Sequence, residues 1–127
     1  MIRMPLVAAA AIVATLALAG CVGQKNPVAT VQVVDETYKI ELTTPELVQN
    51  AQDLLDGKDV PGIPNGKVVR DDPSVNAPWS WHIDPATLEF ADQTTEVCDG
   101  LPSYVEDGTV TSEYYCPWSA KIVSIDR

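Results

Sequence analysis

The 127-residue chain is strongly acidic, with 18 Asp and Glu side chains against 8 Lys and Arg and a formal net charge of −10. This charge excludes binding to nucleic-acid phosphates through a basic surface, and it disfavours flat adhesion to anionic lipid headgroups. Solubility is a sufficient explanation of the acidity, and a cationic partner is the alternative. The length is enough for one small domain with a modest core.

The N-terminal segment predicts export and lipid attachment. Arg3 precedes an apolar run over residues 6–19, and a Leu-Ala-Gly-Cys sequence ends at Cys21. This order is typical of a bacterial lipoprotein signal peptide at residues 1–20, with cleavage before the cysteine and attachment of acyl chains such as palmitate. A transmembrane helix is the alternative, but the run is shorter than the ~20 apolar residues that a span needs.

The lipid would place the protein on the extracytoplasmic face of the cell membrane or the outer membrane. Residues 21–29 have no periodicity and contain Gly23, Asn26 and Pro27, which predicts a short lipidated tether. Since nine residues span at most ~30 Å, we expect the domain at residues 30–127 to lie close to the bilayer.

Residues 30–43 alternate apolar and polar side chains in two arms, which predicts a β-hairpin that turns at Asp35 and Glu36. A single bulged strand fits the same pattern. Residues 45–56 form the clearest helix, with Thr44 as N-cap and Gly57 as the stop signal. Its apolar residues recur on one face, which we expect to lie across a sheet and be buried: Leu47, Val48, Ala51, Leu54 and Leu55.

The remaining residues predict short strands joined by turns. Proline and glycine mark loops at 58–66 and 71–78. One helical turn is expected at 101–106, and strands are expected at 67–70, 79–83, 88–90, 94–98 and 119–125. In the last strand, Ala120, Ile122 and Ser124 should face the same side. Strands with one principal helix predict an α+β domain with a mainly antiparallel sheet.

Cys98 and Cys116 predict a disulfide, because they remain as an even pair in an exported domain once Cys21 carries the lipid. A redox-active pair lacks the Cys-x-x-Cys spacing, and a zinc site lacks ligands because His82 is the only histidine. Loop carboxylates suit calcium, but the sequence contains no Asp-rich calcium loop. We therefore expect neither a metal nor a cofactor.

Residues 79–84 carry the candidates for chemistry. His82 and Asp84 lie two apart on a predicted strand, so both face the same side together with Ser80, as a hydrolase would require. Neighbours on one face of a strand are ~6.5–7 Å apart, too far for direct hydrogen bonds. We therefore favour a structural histidine and an Asp-Pro turn over a catalytic group.

The three tryptophans are candidates for binding by aromatic stacking or anchoring. In so small a core, Trp81 and Trp118 are more naturally core residues, whereas Trp79 suits either role. Trp79, Trp81, His82, Asp84 and Trp118 together are the candidate binding residues.

Three motifs carry a family resemblance. They are Pro-Trp-Ser-Trp-His-Ile-Asp-Pro at 78–85, Glu-Val-Cys-Asp at 96–99 and Cys-Pro-Trp-Ser at 116–119. Over about residues 30–127, the chain resembles a small family of secreted domains similar to the N-terminal domain of a slime-mould calmodulin-binding protein. The resemblance does not point to any catalytic activity. Calmodulin itself is not expected as a partner, because calmodulin targets are basic amphipathic helices and the predicted helix carries acidic residues before Lys58.

Together these observations predict a non-catalytic, lipid-anchored binding domain with an extracytoplasmic protein partner, a protease inhibitor being one form. The loops at 61–66 and 71–78 and the segment 98–116 are the candidate contact regions. One alternative is a small-ligand or glycan binder that uses Trp79 and nearby carboxylates. The other is a hydrolase that uses His82 and Asp84.

Overall fold

The structure is a computed structural model that describes residues 25–127. The predicted signal peptide, the lipidation of Cys21 and the first part of the tether lie outside these residues. Within the described range, no helix combines the length and the apolar character needed to cross a bilayer.

The first sheet has three antiparallel strands in the order β2-β1-β7: β1 (Val28–Val33), β2 (Glu36–Glu41) and β7 (Ala120–Asp126). Strands β1 and β2 form the predicted hairpin, and Val33 pairs with Glu36 across a two-residue turn. The turn therefore lies at Val34 and Asp35, one residue before the predicted position. The alternating side chains of the hairpin pack into the core: Ala29, Val31, Val33, Tyr38 and Ile40.

Strand β7 contains a bulge that corrects the prediction for its inner face. Val31 of β1 pairs with Ile122, but the preceding residue, Thr30, pairs with Ser124. One extra residue in β7 shifts the alternation of side chains by one position. As a result Ile125, rather than Ser124, packs beside the core.

Helix α1 (Pro45–Leu55) begins as predicted. The Thr44 hydroxyl accepts a hydrogen bond from the Leu47 N–H at 3.1 Å. Four of the five predicted core residues contact the core, but Leu55 is 39% exposed. Leu55 is the last helical residue and adjoins the exposed Asp56 and Gly57, so the buried face ends before it.

The second sheet is built around β3 (Ile63–Val69), which pairs antiparallel with β4 (His82–Ile83), β5 (Glu89–Ala91) and β6 (Tyr114–Tyr115). The predicted loop at 58–66 is therefore wrong in its second half. Pro64 and Gly66 punctuate loops in most sequences, yet both are buried within β3. A Cβ atom on Gly66 would overlap the Ile83 side chain, so the strand requires glycine there.

The predicted strand at 94–98 is also wrong, because Glu96–Cys98 form a 3-10 turn. This turn brings Cys98 to Cys116, and the Cys116 N–H donates to the Cys98 carbonyl at 2.7 Å. The short helix α2 (Pro102–Glu106) confirms the helical turn expected at 101–106. The fold is thus β-rich and mostly antiparallel, with one main helix and one disulfide, and it has two sheets where one was expected.

Aromatic side chains join the two sheets. Tyr38 of the first sheet lies 5.2 Å from Tyr115 of the second, between ring centroids. Trp81 contacts both rings, at 5.7 Å from Tyr38 and 5.6 Å from Tyr115. Burial raises the pKa of both tyrosine hydroxyls above the usual range, so both stay neutral to a higher pH than an exposed tyrosine would. The contacts among Tyr38, Trp81 and Tyr115 fix the second sheet against the first.

Candidate functional site

The outer face of the second sheet carries exposed aromatic side chains. Ile63 and Asn65 of β3 alternate with buried residues and therefore lie on this face. Ala91 pairs with Ile63, and the face continues to Tyr114 of β6 and to Trp118. We call this surface the Trp118 face and define it by the residues that line its two adjoining clefts: Ile63, Asn65, Glu89, Ala91, Asp92, Gln93, Thr94, Thr95, Cys98, Ser112, Tyr114 and Trp118.

Trp118 is 47% exposed, so the expectation that it belongs to the core is wrong. Its backbone N–H donates to the Asp99 carboxylate at 2.8 Å, and its indole N–H donates to the Thr94 hydroxyl at 2.7 Å. Because both N–H groups have partners at the surface, burial is not needed to satisfy them. The indole is therefore exposed and held in one orientation.

The disulfide adjoins the Trp118 face, since Cys98 lines one of its clefts. Cys98 and Cys116 are bonded as predicted, with their Cα atoms 5.0 Å apart, and both are buried. Val97 precedes one cysteine and is 71% exposed, while Trp118 lies two residues after the other. The cross-link therefore ties together the two segments that present these apolar side chains.

The surroundings of the Trp118 face are acidic. Glu89 and Asp92 line its two clefts, and Glu96 and Glu113 adjoin residues on its rim. Lys67, which pairs with Tyr114 across the strands, is the basic residue nearest to them in the sheet. Within residues 25–127, no three His, Cys, Asp or Glu side chains come together in a way that could hold a metal ion. The face therefore combines negative potential with exposed aromatic area.

Trp79 and Trp81 lie away from this face. Trp81 is 1% exposed and belongs to the aromatic core. Trp79 is half-buried, and its indole N–H donates to the Thr37 carbonyl at 2.8 Å. Nearby, the buried Asn76 accepts a hydrogen bond from the Lys39 N–H at 2.7 Å. These two side chains hydrogen-bond backbone groups along the outer edge of β2 and so block that edge from pairing with another chain.

Ser80, His82 and Asp84 do not come together. The Ser80 hydroxyl donates to Glu106 at 2.6 Å, and the His82 ring hydrogen-bonds through Nδ1 to the Asp72 carbonyl. The Asp84 carboxylate accepts from the Ala86 N–H at 3.0 Å, as an Asp-Pro turn predicts. Each group thus has its own structural partner, and they form no catalytic triad.

Sequence reasoning missed Tyr114 and Asp92 as members of one surface, and it missed the exposed Val97, which adjoins Cys98 at the edge of that surface. Strand β6 has only two residues, which is too short to show a periodic pattern. Val97 falls in a stretch that alternates like a strand but forms a 3-10 turn. The spacing of Trp118 from Cys116 was the one available signal, and it does not distinguish an exposed ring from a buried one.

Comparison with known families identifies the domain. The family model described as the BP-74 N-terminal domain matches residues 25–127. No curated protein and no solved structure matches the chain. Because the match spans the whole described fold, the chain belongs to this N-terminal domain family, which confirms the resemblance seen in the sequence motifs.

Proposed function

We propose that this domain is a non-catalytic binding module, anchored by lipid on Cys21 outside the cytoplasm, that engages a protein partner through the Trp118 face. The observation that carries the proposal is the exposure of the Trp118 indole, which is held by one hydrogen bond from its ring N–H and by a second from the backbone N–H of the same residue. Tryptophan is enriched among the residues that dominate binding energy at protein interfaces. An indole that is already ordered loses little conformational freedom on binding.

The geometry of the first sheet supports this role. Val28, at the start of β1, pairs with Asp126, and Val33, at its end, pairs with Ala120. Trp118 precedes Ala120 by two residues, so it lies roughly 17 Å along the strand direction from the point where the tether enters. An anchor at Cys21 would therefore attach at the end of the first sheet opposite Trp118, which leaves a partner room to reach the Trp118 face.

The scaffold supports binding rather than chemistry. We treat the domain as an α+β unit in which α1 covers one side of the strands, and its contacts with β7 and β5 support this description. The Trp118 face offers aromatic, amide and carboxylate groups. The groups best suited to hydrolysis, Ser80 and His82, lie elsewhere with partners of their own. These observations favour a recognition surface over an active site.

Site-specific photo-crosslinking tests the proposed surface. We would place a photoreactive amino acid at Val97, on the rim of the Trp118 face, and at Thr43, an exposed residue at the tether end beside Asn26. We expect a discrete crosslinked protein from Val97 in intact cells and none from Thr43. Equal crosslinking from both positions, or none from Val97, would contradict the proposed surface.

The anchor is tested separately. In a bacterial host, we expect the wild-type chain in the membrane fraction and Cys21→Ser as an uncleaved or soluble form without acyl mass. Mass spectrometry of the purified protein measures the acylation directly. A wild-type chain that is soluble and unacylated would overturn the anchor and leave the Trp118 face untouched as a proposal.

A glycan ligand is the second candidate, and the exposed indole beside amide and carboxylate groups favours it. The aromatic residue would be Trp118 in place of Trp79, because the Trp79 indole is half-buried and hydrogen-bonded to Thr37. Binding to an array of cell-envelope glycans that is lost in Trp118→Ala, together with no crosslinked protein from Val97, would favour this function.

A further inference from the structure

We infer that the cleft beside Trp118 receives a cationic side chain, arginine or lysine, from a basic segment of the partner. This inference rests on the proposed function and names the chemistry of the partner. The cleft has a volume of about 340 Å³ and is lined by Ile63, Asp92, Gln93, Thr94 and Trp118.

The cleft offers the two groups that bind such a cation. The face of a tryptophan ring is the best aromatic partner for a lysine or arginine cation. Asp92 is exposed on the same cleft, and within residues 25–127 its carboxylate has neither a salt bridge nor a hydrogen bond from another side chain. A guanidinium between them would stack on the indole and pair with the carboxylate.

The cleft is also preorganised to bind a long basic side chain. The hydrogen bond from the Trp118 indole to Thr94 fixes the ring, so binding does not have to order it. Ile63 supplies an apolar wall against which the methylene stem of a long basic side chain can lie. A small inorganic cation would gain nothing from this wall, so the shape favours an amino-acid side chain.

Charge complementarity argues for a basic partner segment over an acidic or neutral one. The chain carries a net charge of −10, and Glu89, Asp92, Glu96 and Glu113 surround the Trp118 face with Lys67 as their basic neighbour in the sheet. Such a potential raises the association rate of a cationic partner and repels an acidic one.

Fluorescence anisotropy with paired peptides tests the inference. The probes are a labelled peptide of alternating glycine and arginine and the same peptide with citrulline, the neutral isostere of arginine. We expect the full chain, purified in detergent, to bind the arginine peptide more tightly. Asp92→Asn and Trp118→Ala should each weaken binding of the arginine peptide roughly three- to tenfold relative to the wild type. Both variants should bind the citrulline peptide as the wild type does.

Asp126→Asn is the matched control, because it makes the same charge change at the end of β7 that is far from Trp118. If Asp126→Asn and Asp92→Asn weaken binding equally, attraction is by net charge alone and the cleft is not a cation site. Equal binding of the arginine and citrulline peptides would also overturn the inference. Crosslinking from Val97 would still report a partner in either case, so the proposed function can survive the failure of this inference.

Discussion

Two serine–carboxylate pairs hold the short helix α2 in place, and each pair joins one end of the helix to another part of the chain. At its start, the N–H and hydroxyl of Ser103 both donate to Glu36 of the hairpin at 2.8 Å. At its end, the N–H and hydroxyl of Ser80 donate to Glu106 at 2.8 and 2.6 Å. Arg70 adds a hydrogen bond to the Val105 carbonyl at 2.7 Å. Charge-assisted bonds of this kind fix a helix too short to be stable alone.

The hydrogen bonds between Ser80 and Glu106 predict that the stability of the domain depends on pH. Hydrogen bonds from the Ser80 hydroxyl and N–H, and the positive charge of Arg70, lower the pKa of Glu106 below its ordinary value of 4.5. A lowered pKa stabilises the fold above pH 4.5, and this stabilisation is lost as the pH falls through the folded-state value. We expect Glu106→Gln to lower the melting temperature at pH 7 and to approach the wild type at acidic pH.

Thermal unfolding of both proteins between pH 3 and 7 measures this effect. Glu113→Gln, the same change at an exposed glutamate, is the charge-matched control. A constant difference between Glu106→Gln and the wild type would show that the carboxylate does not contribute through its ionisation.

Val34 carries backbone strain at the tip of the hairpin. Its φ of 61° lies in the left-handed region, which β-branched residues avoid, and its side chain is 66% exposed. Hairpin turns place glycine or asparagine at such positions. We expect Val34→Asn to stabilise the domain by about 1 kcal/mol in chemical denaturation. Val123→Asn, at an exposed valine without a positive φ, should give no gain; equal effects would contradict the strain argument.

At the scale of elements, periodicity and capping predicted those parts whose packing is local. The hairpin alternates with a period of two, and Thr44 and Gly57 bracket α1, so both could be recognised from the sequence. The first half of β3 could not, because Pro64 and Gly66 usually mark loops. What requires glycine in this strand is the Ile83 side chain of β4, which lies where a Cβ atom of residue 66 would be, and this contact depends on the tertiary fold.

The close packing at Gly66 predicts that even a small side chain at this position destabilises the domain. A methyl group there would overlap the Ile83 side chain and force β3 and β4 apart, so we expect Gly66→Ala to cost about 1–3 kcal/mol of stability. Gly62→Ala is the matched control, since its methyl group would meet Leu54 at an ordinary 3.5 Å without a left-handed φ. Denaturant unfolding compares the two. Equal losses would indicate that the cost comes from glycine replacement in general.

The candidate site was harder to predict than the elements, and Trp118 illustrates why. The motif at 116–119 indicated an important tryptophan near the disulfide, and the pairing of Cys98 with Cys116 was correctly predicted. Whether the ring points inward depends on where the chain surfaces after the buried Cys116 and Pro117. That position is fixed by a hydrogen bond to Thr94, distant in sequence and in a segment that the pattern assigned to a strand.

At the scale of the whole molecule, the first sheet mainly supplies the core and the second sheet mainly presents the exposed surface. The first sheet and α1 supply most of the aliphatic core and receive the chain from the tether side, where Asn26 donates to Glu41 at 2.7 Å. The second sheet, joined to the first through Tyr38, Trp81 and Tyr115, presents the Trp118 face. The aromatic contacts between the two sheets therefore fix the position of the Trp118 face relative to the first sheet.

The most direct test of the account is amide hydrogen exchange of the full chain, free and bound to the protein crosslinked from Val97. We predict that the partner slows exchange in residues 92–97 and 112–118, which form and flank the Trp118 face, while residues 45–49 of α1 are unchanged. Slowed exchange in residues 71–78 or in α1, with no change at 92–97 and 112–118, would contradict the assignment of the binding surface.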